Sequence, residues 1–200
     1  MKRSEANQAS IESNGTNNGV VVANNSGIIN LNCENVVRLP SLISGIVKAM
    51  ANLEEPDMKG GNNIDLKPYK PEDKIEYNHI IKYKDIIKEY SGYYTYCNET
   101  MNIFDNSNLG SKRKILKLVY NWYLEAKGEL IKKNQKAKMS DIEIIRANSD
   151  QLIDSVKDRI YDISIKYSAD SSACVEDIEL GVICFTCFCF MECKILEKPL

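Results

Sequence analysis

Between Leu39 and Leu53 the apolar residues repeat with a helical period. Leu39, Leu42, Ile43, Ile46, Val47, Met50 and Leu53 line one face of an amphipathic helix placed within residues 37–55. Pro40 suits its first turn. Pro56, Gly60, Gly61, Asn62, Asn63 and Pro68 then punctuate a linker over residues 56–70. A second helix is predicted from Pro71, with Glu72 and Asp73 favourable to its positive end. Ile75, His79, Tyr83, Ile86, Ile87, Tyr90, Tyr94 and Cys97 form its inner face. A turn is expected over Phe104–Gly110. A third helix spans about 111–133, with Ile115, Leu116, Val119, Tyr120, Tyr123 and Leu130 inward. Ser140 and Glu143 have capping-box spacing and open a long fourth helix lined by Ile142, Ile145, Leu152, Val156, Ile160, Ile163 and Tyr167. Asp170-Ser171-Ser172 is expected to end it and cap a last helix. Residues 71–200 thus read as a helical domain with short connections, compatible with an antiparallel bundle.

The last helix lacks a polar face. Val182–Met191 is apolar but for Thr186 and includes Cys184, Cys187 and Cys189. Such a helix must be buried by its own chain or by a partner. At ten residues the run is half the roughly 20 that a membrane span needs, so no transmembrane helix is expected.

Residues 1–36 follow another rule. Nine asparagines fall between positions 7 and 35, and Asn18-Gly19-Val20-Val21-Val22 aligns with Ser26-Gly27-Ile28-Ile29-Asn30 at a repeat of eight. Asn-Gly and Ser-Gly supply positive-φ turn positions, and β-branched residues supply strands. The pattern predicts a β-hairpin or a β-solenoid-like rung. One such unit cannot bury its own apolar face. Stacking of several chains through Val20, Val21, Val22, Ile28, Ile29 and Leu31 is one outcome, making the protein a homo-oligomer. A hairpin packed on the helical body and an unstructured tail are the others. The fold class expected is therefore mainly α, a bundle of four to five helices behind this short β element.

The net charge of −2 hides an asymmetry. Residues 112–138 hold nine basic and two acidic side chains, so the rest of the chain carries −9. Lys112, Arg113, Lys114 and Lys117, near Trp122 and two tyrosines, are candidate nucleic-acid contacts. The plainer reading is the solvated face of a helix. Seven cysteines, four of them from Cys184 to Cys193, do not resemble a disulfide framework. Residues 1–30 have no signal-peptide core, which together with reduced thiols indicates a cytoplasmic protein. On one helix the cysteines spread around the axis, so packing is favoured over zinc. His79 is the single histidine. No phosphate loop, nucleophile elbow, dinucleotide fingerprint or zinc-protease motif occurs. No catalytic, cofactor-binding or metal-binding residue is assigned, and no cofactor is expected.

Three segments carry a family resemblance: Ile75–Ile87, with its Lys-Ile-Glu-Tyr-Asn-His lead from Lys74; Lys112–Tyr120; and Cys193-Lys194-Ile195-Leu196-Glu197-Lys198-Pro199. Together they resemble the C-terminal domain of bacterial ABC-three-component conflict systems, the Lamassu-like anti-phage systems, over roughly residues 70–199. In that family such a domain is attached to effectors and couples them to an ABC ATPase and a small middle component. Here only about 70 residues precede it, without an effector module. The resemblance therefore implies a non-enzymatic adaptor or assembly subunit that docks an ABC/SMC-like ATPase or an effector. A nucleic-acid-binding module using the 112–138 stripe is the alternative.

Overall fold

The computed structural model describes residues 41–53, 70–136, 138–166 and 174–199. The Asn/Gly-rich repeat, with Val20, Val21, Val22, Ile28, Ile29 and Leu31, and nearly all of the linker lie outside the described residues. Residues 38–200 form one compact unit. Its described part is mainly helical and contains no strand: α1 (Leu42–Ala51), α2 (Pro71–Tyr77), α3 (Lys84–Ser91), α4 (Tyr94–Ser107), α5 (Ser111–Lys133), α6 (Asp141–Ala147), α7 (Ser149–Lys166) and α8 (Val175–Met191).

The apolar helix α8 is the axis of the core. Every residue from Cys184 to Met191 is buried, because α1, α3, α4 and α7 pack around it. Its own chain therefore covers it. The closest approach is to α1: a Cβ on Gly181 would lie 2.1 Å from the Val47 carbonyl oxygen. Only glycine lets the two backbones come this near. Helix α1, set apart in sequence by the linker, contributes Ile43, Ile46, Val47 and Met50 to this core. It begins at Leu42, with Ser41 as N-cap, its hydroxyl accepting from Ser44 N–H.

Among the described residues eight helices replace the expected four to five, because two long predicted helices are broken. The helix expected from Pro71 to Cys97 becomes α2, α3 and α4. Its first break is at His79, which adopts left-handed φ of 55°. The following N–H groups of Ile81, Lys82 and Tyr83 turn to the Asp150 carboxylate, at 3.2, 3.0 and 3.4 Å. A carboxylate from α7 thus satisfies donors at the start of α3 that have no intrahelical partner. The second break is the turn at Gly92 and Tyr93, after which α4 continues to Ser107 and takes in the first four residues of the expected turn. The predicted fourth helix breaks at Asn148, whose side-chain amide donates to the Ile144 carbonyl at 2.8 Å. Its predicted start holds: Ser140 N–H donates to Glu143 at 2.7 Å. The last helix is capped at Cys174 rather than at Asp170–Ser172, with Cys174 N–H donating to Asp177 at 3.2 Å. Helix α5 has the predicted limits.

Candidate functional site

The most constrained polar cluster lies where the chain ends. After α8 the backbone reverses through Cys193 and Leu196, at φ of 54° and 64°. Lys194 N–H returns to the Cys189 carbonyl at 2.9 Å. This turn drops Ile195 and Leu196 into the core, both almost wholly buried.

Lys74 of α2 and Asn78, the C-cap of that helix, hold it there. Lys74 is 0% exposed. Its ammonium donates to the carbonyls of Phe190 at 2.5 Å and Ile195 at 2.8 Å, and stands 4.1 Å from the Phe190 ring centroid. A cation at the C-terminal end of α8 also meets the negative end of the helix dipole. One turn later, Asn78, equally buried, grips the backbone of Glu197. Its Nδ2 donates to the Glu197 carbonyl at 2.8 Å, and its Oδ1 accepts from the Glu197 N–H at 3.0 Å.

Helix α5 supplies the third side. Lys127 Nζ and the Tyr123 hydroxyl donate to the Glu197 carboxylate at 2.6 and 2.7 Å. Burial alone would raise the Glu197 carboxyl, but the Lys127 and Tyr123 bonds outweigh it and hold it below the usual glutamate value. Burial, and then donation to Glu197, push the Tyr123 phenol up. Among the described residues no buried side-chain polar atom lacks a partner. The arrangement is chemically a clamp on one segment: Lys74 and Asn78 hold its backbone, and Tyr123 and Lys127 hold the Glu197 side chain.

A second cluster fixes the α2–α3 turn. Asp154 accepts from Lys82 Nζ at 2.7 Å and from the Tyr83 hydroxyl. Burial would raise Asp154, but these bonds lower it overall. His79, expected among the tyrosines, is instead exposed on the rim of an open groove of about 530 Å³ between α2 and α3.

The four candidate nucleic-acid contacts separate. Arg113, Lys114 and Lys117 are exposed at the start of α5, which has no acidic residue in its first turn. Lys112 is tied back by Asn98 and Asn102, at 2.9 and 2.7 Å. Trp122 and Tyr123 are buried, so they offer no stacking face. Further along, Glu125 pairs with Arg159 at 2.6 Å and interrupts the stripe.

Cys184, Cys187 and Cys189 pack in the core, and Cys193 is half-buried beyond the helix end. Cys97 of α4 brings its sulfur within 3.2 Å of that of Cys184. Contact with Cys184, and then burial, push the Cys97 thiol up; burial, and then the neighbouring Cys184, do so for Cys187. Among the described residues no three His, Cys, Asp or Glu side chains converge on a metal-sized centre.

The roles of Lys74, Asn78, Tyr123, Lys127 and Glu197 are not apparent from the sequence alone, because periodicity places Lys74 and Asn78 on a surface. The available signal was local: Lys74, Asn78 and Glu197 all fall in the segments that carry the family resemblance. No protein-family profile, curated protein or solved structure matches this chain.

Proposed function

We propose that the chain is a non-enzymatic adaptor, an assembly subunit of a bacterial anti-phage defence complex, acting in the cytoplasm and docking an ABC/SMC-like ATPase or an effector subunit. Self-association through the Asn/Gly-rich repeat belongs to the same reading. One observation carries it. Two of the three segments with the family resemblance, 119 to 121 residues apart, meet in one clamp through Lys74, Asn78 and Glu197. The helix opened by the third, α5, closes it with Tyr123 and Lys127. Segments scattered in sequence thereby behave as parts of one domain, which supports the resemblance as a whole. No helix among the described residues is long and apolar enough to cross a membrane.

Co-expression with the products of adjacent genes tests the docking. An ABC-type ATPase that co-purifies in fixed stoichiometry supports it. A chain that purifies alone, with every neighbour in the flow-through, rejects it. Light scattering on the full chain and on one starting at Leu39 tests the repeat, and the same number of subunits in both excludes self-association through it.

The second reading is nucleic-acid binding. Arg113, Lys114 and Lys117 support it, exposed together on the opening turns of α5. Salt-dependent binding to DNA or RNA that falls on Lys114→Glu plus Lys117→Glu would establish it. Lys112 is a poor probe, since its ammonium is bound to two asparagines.

A further inference from the structure

The groove between α2 and α3 has walls of opposite sign. Glu72 and Glu76 stand on α2, and Lys84 and Lys88 stand on α3. Each pair is spaced i, i+4 and so occupies one face of its helix. The two rows do not neutralise each other: among the described residues none of the four makes an ion pair. Between them Ile81 projects into solvent, 82% exposed. Ile81 is not on a loose loop. Its own N–H and those of Lys82 and Tyr83 are held by Asp150, and the neighbouring side chains by Asp154. A large apolar side chain on a turn braced this way is presented rather than merely left over.

We infer that this groove is a self-complementary contact, and that its occupant is a second copy of the same chain. Charge complementarity selects that occupant. Both rows follow one helical repeat, about 6 Å between charges four residues apart. A twofold axis running along the groove would lay the acidic row of one copy on the basic row of the other, and the reverse contact would form at once. Ile81 of each copy then falls between two rows and leaves water. The paired charges set register and orientation, and the apolar contact adds the non-directional part. This contact is separate from the Asn/Gly-rich repeat, and it does not rest on docking to an ATPase, which co-purification tests by itself.

Charge reversal on the full chain tests it, read by sedimentation equilibrium at low salt over a hundred-fold concentration range. The unmodified chain should form a species with twice the mass of the unit that remains when the groove is broken. If the groove is the only contact, that unit is the 22.7 kDa monomer. Lys84→Glu plus Lys88→Glu makes both walls acidic, and Glu72→Lys plus Glu76→Lys makes both basic. Each double variant alone should lose the factor of two. Mixed in equal amounts, the acidic and basic variants should recover it as a heterodimer that weakens with added salt. Mixing needs no comparison with the native fold, so the test survives a modest loss of stability. A full chain that is monomeric throughout overturns the inference. So do masses indifferent to charge reversal, or variants that fail to recombine.

Discussion

Asn78 and Glu197 are joined through both ends of one side-chain amide, which donates to the Glu197 carbonyl at 2.8 Å and accepts from its N–H at 3.0 Å. The amide takes the part a neighbouring strand would play, and gives the last segment a backbone-like partner within a helical protein. Its Nδ2 also donates to the Lys74 carbonyl at 2.9 Å, so Asn78 ties the end of α2 to the end of the described chain.

Asn78→Ala should therefore destabilise the fold by about 2 kcal/mol, since it leaves peptide groups without partners where water has poor access. Lys74→Met should cost about 3 kcal/mol, because it removes charge-assisted bonds to two carbonyls. Urea unfolding gives the magnitudes. Hydrogen exchange gives the location, with the Lys194 and Glu197 amides losing protection before those of α5. Unchanged protection at Glu197 in Asn78→Ala would show that the clamp holds nothing.

The same substitution should act oppositely at two glycines. Gly181→Ala drives a methyl against the Val47 backbone, and α1 must move, at about 3 kcal/mol. Gly128→Ala, exposed within α5 with nothing within 4 Å of its Cβ, should stabilise by about 1 kcal/mol through helix propensity. Melting temperatures that shift in the same direction for both would contradict the close α1–α8 contact.

Acid should loosen the clamp and the α2–α3 turn together. Glu197 and Asp154 are both held below their ordinary values of 4.5 and 3.8. A depressed folded value stabilises fully above the unfolded one, and that contribution is lost as pH falls through the folded value. Stability should therefore be level near neutrality and decline below about pH 4.5. Glu197→Gln should be less stable at neutral pH and show a shallower acid decline. A decline as steep as in the unmodified protein would remove Glu197 from the account.

Thiol reactivity should follow burial. Cys174 is exposed, whereas Cys97, Cys184, Cys187 and Cys189 are buried, and burial pushes the Cys187 and Cys189 thiols up. A brief maleimide pulse at neutral pH, quenched in denaturant and mapped by mass spectrometry, should label Cys174 and spare those four. Labelling of Cys187 at the rate of Cys174 would mean that α8 is not enclosed.

Apolar periodicity and capping chemistry act within a few residues, and they were legible here. The limits of α5, the Ser140–Glu143 cap and most of the inward faces of α1 and α7 follow from spacing alone, Leu39 and Tyr167 lying outside the described residues. The need to enclose α8 followed from its composition, because no helix apolar on all sides is stable in water. Nothing local showed what would enclose it. That required α1 to pack beyond an intervening linker, and a glycine at 181 to let the backbones meet. The helix breaks depended on the same kind of distant contact. Asp150, some seventy residues away, supplies the acceptor that lets the chain leave the helix at His79 and restart at Lys84. Lys74 and Asn78 show the limit most plainly. By pattern they belong to a solvated face, and they are buried because the chain end returns to offer them carbonyls and an amide. Sequence determined which segments are helical and which faces are apolar, since those preferences are summed over neighbours. Tertiary structure decided where the helices break and which polar side chains are interior, since a buried donor needs an acceptor that the fold must bring to it.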